Sequence, residues 1–168
     1  MVVSTENTTL EEQLVVFDLA SEAYGVDIGA VREIIRMQDI TKVPRTPDFV
    51  EGVINLRGKV IPVVDLRKRF DLPVPEKQSK DNRIVVVDIG GQDIGVMVDA
   101  VTEVLRIATD SVAPPSSVIT GTDSDYLLGI VKLESRLIIL LDLEKVLSEE
   151  EKANLFDDDA DAVTPLGE

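Results

Sequence analysis

The chain repeats itself. Leu14-Val15-Val16-Phe17-Asp18-Leu19 recurs 70 residues later as Ile84-Val85-Val86-Val87-Asp88-Ile89. At the same offset residues 24–28 return as 94–98, residues 30–36 as 100–106, and Pro44 as Pro114. After an insertion of seven residues, 49–53 matches 126–130 and 63–66 matches 140–143. Chance similarity between aliphatic stretches would not also keep Gly25/Gly95, Gly52/Gly129 and Asp65/Asp142 in order. Two units, about 14–70 and 84–147, therefore share one plan.

Each unit reads mainly as short strands. Apolar, β-branched runs predict strands over 14–19, 24–28, 40–43, 50–56 and 59–66, with turns at 20–23 and 90–93. Val31, Ile34 and Ile35 stand at helical spacing, which predicts one or two helical turns over 30–36. About five strands per unit with no long helix point to two small five-stranded barrels, since closure removes exposed strand edges. Residues 71–82 are polar and hold Pro73 and Pro75, a linker between units. Leu143, Val146, Leu147 and Leu155 interleave with acids and lysines and predict a C-terminal amphipathic helix. Residues 144–168 carry nine acids and two lysines, and 157–168, with Asp157-Asp158-Asp159-Ala160-Asp161, read as an acidic disordered tail.

Composition removes most chemistry. The 168 residues contain no Cys and no His, which excludes disulfides, thiol nucleophiles, His-based triads and imidazole or thiolate metal sites. A net charge of −15 disfavours general binding to nucleic acid or anionic lipid. The start lacks the pattern of a signal peptide and no apolar run approaches the ~20 residues that span a bilayer, so a soluble, intracellular domain is expected. Asp18 and Asp88 occupy equivalent places, as a shared dyad of carboxylates would. Neither is followed by the Asp-Thr/Ser-Gly turn of that chemistry, so both read as surface residues before a turn. Asp65 and Asp142 end strands and are placed to cap the helical turns after them. The glycines fit neither dinucleotide nor P-loop spacing. The expectation is no enzyme, no cofactor and no metal.

One segment points to docking. Residues 49–67 form two aliphatic strands around Asn55-Leu56-Arg57-Gly58, with Arg57 displayed at the turn. The second unit has Lys132-Leu133-Glu134-Ser135 there, so the feature belongs to unit one. Residues 32–69 hold nine Lys/Arg against five Asp/Glu, a basic face on an acidic body and a docking surface for an acidic partner.

These residues resemble the CheW family, the coupling proteins of bacterial chemotaxis. The resemblance covers about residues 10–156. It is carried by Tyr24-Gly25-Val26-Asp27-Ile28, Val31-Arg32-Glu33-Ile34 and above all residues 49–66. It implies a CheW-like domain over 1–156, built as two five-stranded SH3-like barrels on a shared aliphatic core, with no enzymatic activity and no cofactor. It further implies a cytoplasmic adaptor that links the tips of chemoreceptors to the histidine kinase CheA, whose C-terminal domain shares the fold. Such an adaptor is recruited to membrane-associated receptor arrays, meets the membrane only through receptors, and binds no nucleic acid. By position, Val31, Glu33, Ile34, Gly52, Asn55 and Arg57 match the receptor groove and its rim, faced by Val101 and Val104, with kinase contacts at the barrel ends. A scaffold for a CheA-like kinase in a non-motility pathway would carry nearly the same sequence. The tail has no counterpart in the resemblance.

Overall fold

The computed structural model describes residues 11–114, 126–148 and 150–152. β1 (Glu11–Leu19) and β2 (Glu22–Asp27) form a hairpin, and a 3-10 turn (Ile28–Ala30) leads into β3 (Val31–Arg36). β4 (Val50–Leu56) and β5 (Lys59–Asp65) form a second hairpin, followed by the one-turn helix α1 (Leu66–Arg69). The plan then repeats as β6 (Arg83–Ile89), β7 (Gln92–Val98), β8 (Ala100–Ala108), the short β9 (Val112–Ala113), β10 (Leu127–Lys132) and β11 (Leu137–Leu141). The fold is mainly β, as expected. Asp65 and Asp142 cap the helical turns after them: their Oδ1 atoms accept from the backbone N–H of Arg67 and Glu144 at 2.9 and 3.0 Å.

The sheets do not follow the sequence units. One sheet runs β8-β1-β2-β11-β10-β9 and the other β3-β6-β7-β5-β4, so each takes its first hairpin from the opposite unit. Residues 14–70 and 84–147, expected as separate subdomains, are thus sequence repeats that exchange hairpins. The exchange is made by two equivalent antiparallel pairings, β1 with β8 and β3 with β6, and two equivalent parallel ones, β2 with β11 and β7 with β5. Gly25 and Gly95 sit in the parallel pairs, where a side chain would crowd its neighbours. A Cβ on Gly95 would stand 2.8 Å from the Ile84 methyl, and one on Gly25 3.2 Å from that of Ile138.

Each sheet curls around its own small aliphatic cluster. Ile54, Ile61, Val63, Ile84 and Val86 fill one, and Leu14, Val16, Val131, Ile138 and Leu140 the other. A third and larger cluster lies on the outer side of both sheets and joins them, drawing Val15, Phe17, Val85, Val87, Ile94 and Leu141 from both units. Phe17, Tyr24, Phe70 and Tyr126 stack in succession, with neighbouring ring centroids 6.3, 6.1 and 4.5 Å apart.

A buried ionic hub pins the two units where hairpins cross. Arg67, 4% exposed, donates through Nε and Nη2 to Asp65 at 3.0 and 3.1 Å and through Nη1 to Asp99 at 2.7 Å. The other Asp99 oxygen accepts the N–H of Ala20 at 2.7 Å, and Asn82 at the end of the linker donates to the Asp99 carbonyl. Burial opposes the guanidinium's charge, but the hydrogen bonds and proximity of Asp65 and Asp99 outweigh it and hold its pKa above the usual value.

Three expected elements differ. Residues 31–36 are strand, paired to β6, and only Ile28–Ala30 before them is helical. The strand expected over 40–43 is reduced to one bridge, Thr41 to Val53. The C-terminal helix does not run unbroken from Leu143: the 3-10 turn Leu143–Lys145 leads to buried Val146 and Leu147, and a new helical start comes after them. There Ser148 Oγ accepts from the Glu151 N–H and Glu151 returns a carboxylate to the Ser148 N–H, a reciprocal cap. Leu155 and the expected tail lie outside the described residues.

Candidate docking groove

β3 and β8 are equivalent by the repeat, and each is the terminal strand of its sheet. On β3, Ile34 lies directly opposite Val85, and on β8, Val104 lies directly opposite Val15. Residues facing each other across an antiparallel ladder share a side of the sheet. Val85 and Val15 both belong to the cluster that joins the sheets, so Ile34 and Val104 extend that cluster outward. As edge residues they are left 40% and 52% exposed. Val31 and Val101, three residues earlier on each strand, pack partly buried against the same cluster. Val31 and Ile34 on β3 and Val101 and Val104 on β8 therefore occupy equivalent apolar places at the edges of the two sheets, each continuous with the joining core.

Both strands carry a bulge at the same place. The register shifts between Val31 and Glu33 on β3 and between Val16 and Phe17 opposite β8, leaving Arg32 and Thr102 as the extra residues. Arg32 consequently reaches across its sheet to Asp88 at 3.2 Å and Asp93 at 2.6 Å. Lys59 also bonds Asp93, at 2.9 Å, so a ladder of charge crosses four strands. The Lys59 hydrogen bond, then that of Arg32, holds the Asp93 carboxyl below its usual pKa against the opposing effect of burial.

Of the rim residues, Glu33 and Arg57 meet as an ion pair, with Arg57 still 69% exposed. Arg57 and Gly58 are the two central residues of the β4–β5 turn, both at positive φ (54° and 87°). Leu56 pairs with Lys59 around them, so the turn is of the tight type that follows strand twist. Asn55, exposed, accepts the Gly58 N–H at 2.8 Å and so fixes the turn that presents Arg57. Gly52 is not brought to the rim. It is buried at a bulge with φ of 145°, and a Cβ there would meet the Thr41 carbonyl oxygen at 2.1 Å. Its place is under the Thr41–Val53 bridge.

The special turn of unit one also has a counterpart that the aligned turn residues hide. Glu103, the repeat of Glu33, is ion-paired to Arg136, which enters β11 from the other hairpin. The arginine lies two residues beyond the position aligned with Arg57, so residue-by-residue alignment misses it. The repeated acid was the available signal. What remains particular to unit one is exposure, 69% for the Arg57 side chain against 37% for Arg136.

A family model for the CheW-like domain matches residues 13–151. The chain belongs to the CheW family. It is 36% identical to chemotaxis protein CheW of Treponema pallidum over 146 residues, covering 85% of this chain and 86% of that one. The Bacillus subtilis CheW is 33% identical over 150 residues, 89% of this chain and 95% of its own. The crystal structure of scaffolding protein TtCheW from Thermoanaerobacter tengcongensis is 44% identical and matches with a TM-score of 0.77, over 84% of this chain and 96% of that one. CheW proteins form a chemotaxis scaffold and adaptor family, and a docking groove is the kind of site such a protein needs. Among the described residues no helix is long and apolar enough to cross a membrane.

Proposed function

We propose that this member of the CheW family is a non-enzymatic adaptor that couples chemoreceptors to the histidine kinase CheA. In this reading the receptor's helical tip lies along Val31, Ile34, Val101 and Val104, with Glu33, Asn55 and Arg57 at one rim. The kinase's CheW-like C-terminal domain binds elsewhere on the barrels, and the adaptor acts at receptor arrays in the cytoplasm. The observation that carries this is the equivalent exposure of Ile34 and Val104 on the flanks of the joining core. A helix covering them would bury the remaining half of each side chain, about 1 kcal/mol apiece. A rigid bridge then needs only contacts that favour one kinase conformation over another.

The test reconstitutes receptor tips, CheA and the adaptor, and measures receptor-stimulated kinase activity. Ile34→Glu and Val104→Glu should each abolish stimulation while the protein melts normally and still retains kinase in a pull-down. Stimulation that survives both changes would refute the groove. Retention from its own cytoplasm of a CheA-like kinase without chemoreceptors would refute the chemoreceptor assignment.

A further inference from the structure

Beyond the groove, a cluster of positive charge among the described residues is left without a counter-ion. Arg36 and Arg83 are direct partners across the β3–β6 ladder. Like charges directly opposite each other repel. Among the described residues neither has an ion pair; Arg83 donates Nη1 only to the carbonyls of Lys80 and Asn82, each at 2.8 Å. The two arginines, with Lys80, line a cleft of about 600 Å³ between the end of β3 and the linker. Asp81 is its single acid. Most other described arginines pair with acids, so two facing arginines without an ion pair stand out on a chain of net charge −15.

We propose that the cleft is occupied by the chain's own acidic segment, Asp157-Asp158-Asp159-Ala160-Asp161. Charge is the first argument: residues 157–168 contain five acids and no base. Reach is the second. Lys152 pairs with Glu144, and Glu144 accepts the Gly90 N–H, which places Lys152 beside the turn at the far end of β6. From there the seven residues of β6 lead back to Arg83, about 20 Å at ~3.3 Å per residue. Asp157 to Asp161 lie five to nine residues past Lys152, a span of up to about 17 to 30 Å. The third is tethering, since a linked segment meets its site at high effective concentration and can hold where a free peptide would not. This contact does not depend on what fills the groove.

The chain has no cysteine, so Ala160→Cys supplies a single attachment point for a spin label. In the full-length protein at low salt, amides of Met37 and residues 79–83 should lose most of their intensity, and recover it when the label is reduced. The loss should vanish in Arg36→Gln/Arg83→Gln, which should melt like the parent, and in molar salt. The untagged chain cut after Phe156 should bind a synthetic peptide of residues 153–168, and the double glutamine variant should not. Three results would overturn the proposal: no loss at the cleft, equal loss at the distant cations Lys42 and Arg45, or a cleft reached only by an added acidic partner or inorganic anion.

Discussion

Replacing Arg67 by methionine tests what joins the two repeats. The side chain makes three hydrogen bonds to two carboxylates, and its removal strands them unequally. The Asp65 side chain is 2% exposed and would keep only the backbone N–H of residue 67. The Asp99 side chain is 23% exposed and keeps the Ala20 N–H, so water and backbone can still serve it. Loss of one partner of a buried pair costs about 3–5 kcal/mol, mostly from the charge left behind. For a chain of this size that corresponds to a melting temperature lower by roughly 6–20 °C. If stranded charge is the cause, Asp65→Asn in the Arg67→Met background should restore about 2 kcal/mol, because the amide oxygen can still cap α1. Asp99→Asn in that background should restore less. The assay is urea unfolding of the four proteins. If Asp65→Asn/Arg67→Met proves no more stable than Arg67→Met alone, the reasoning is refuted and the loss belongs to packing.

Arg57→Ala should weaken receptor coupling about thirtyfold, near 2 kcal/mol, while leaving melting and direct kinase binding almost unchanged, because exposed ion pairs contribute about 1 kcal/mol or less; Arg57→Lys should rescue in part, and a large drop in melting temperature would make the arginine structural. Gly52→Ala should destabilise by about 3 kcal/mol or more, since a Cβ would enter the Thr41 carbonyl, and a variant that melts like wild type would contradict that contact. Asp93→Asn should be less stable than wild type near neutral pH: a carboxyl held below its usual pKa stabilises fully above the unfolded value near 4, and that contribution fades as pH falls through the folded value. The two unfolding curves should therefore converge below about pH 4, and a gap that stayed constant into acid would contradict the Lys59–Asp93–Arg32 ladder. A chain of residues 1–82 should show no cooperative transition, because β1–β2 then lacks β8 and β11 and β3–β5 lacks β6–β7; dispersed spectra from it would count against the exchanged sheets.

Much of the fold was legible in the residues alone. The repeat, β4 and β5, and the caps at Asp65 and Asp142 follow from residue types and spacing, whereas the places of Val31, Ile34, Val101 and Val104 came from the family resemblance. β3 itself was not, for a physical reason. Its burial alternates as a strand's should, but Ile34 falls on an exposed position and remains apolar. Val31, Ile34 and Ile35 consequently mimic helical spacing. An apolar residue on an exposed strand position breaks the pattern that reports secondary structure. The hairpin exchange was hidden for another reason: repeats reveal which segments are equivalent but not which copy they pair with. Gly25 and Gly95 marked a close approach without naming the strand that approaches. The Glu103–Arg136 pair was missed because its arginine sits two positions out of alignment.

The exchange of first hairpins also bears on where such a chain came from. Half of it, one repeat alone, would present a hairpin with no sheet and a sheet with no hairpin. Two copies of that half could satisfy each other by reciprocal swapping, closing a symmetric homodimer about the very axis that now relates Ile34 to Val104. Fusing the two genes would then need only a tether such as residues 71–82, after which the halves were free to diverge. In the present chain one half exposes its arginine at the turn, at 69%, and the other holds its arginine two positions further on, at 37%.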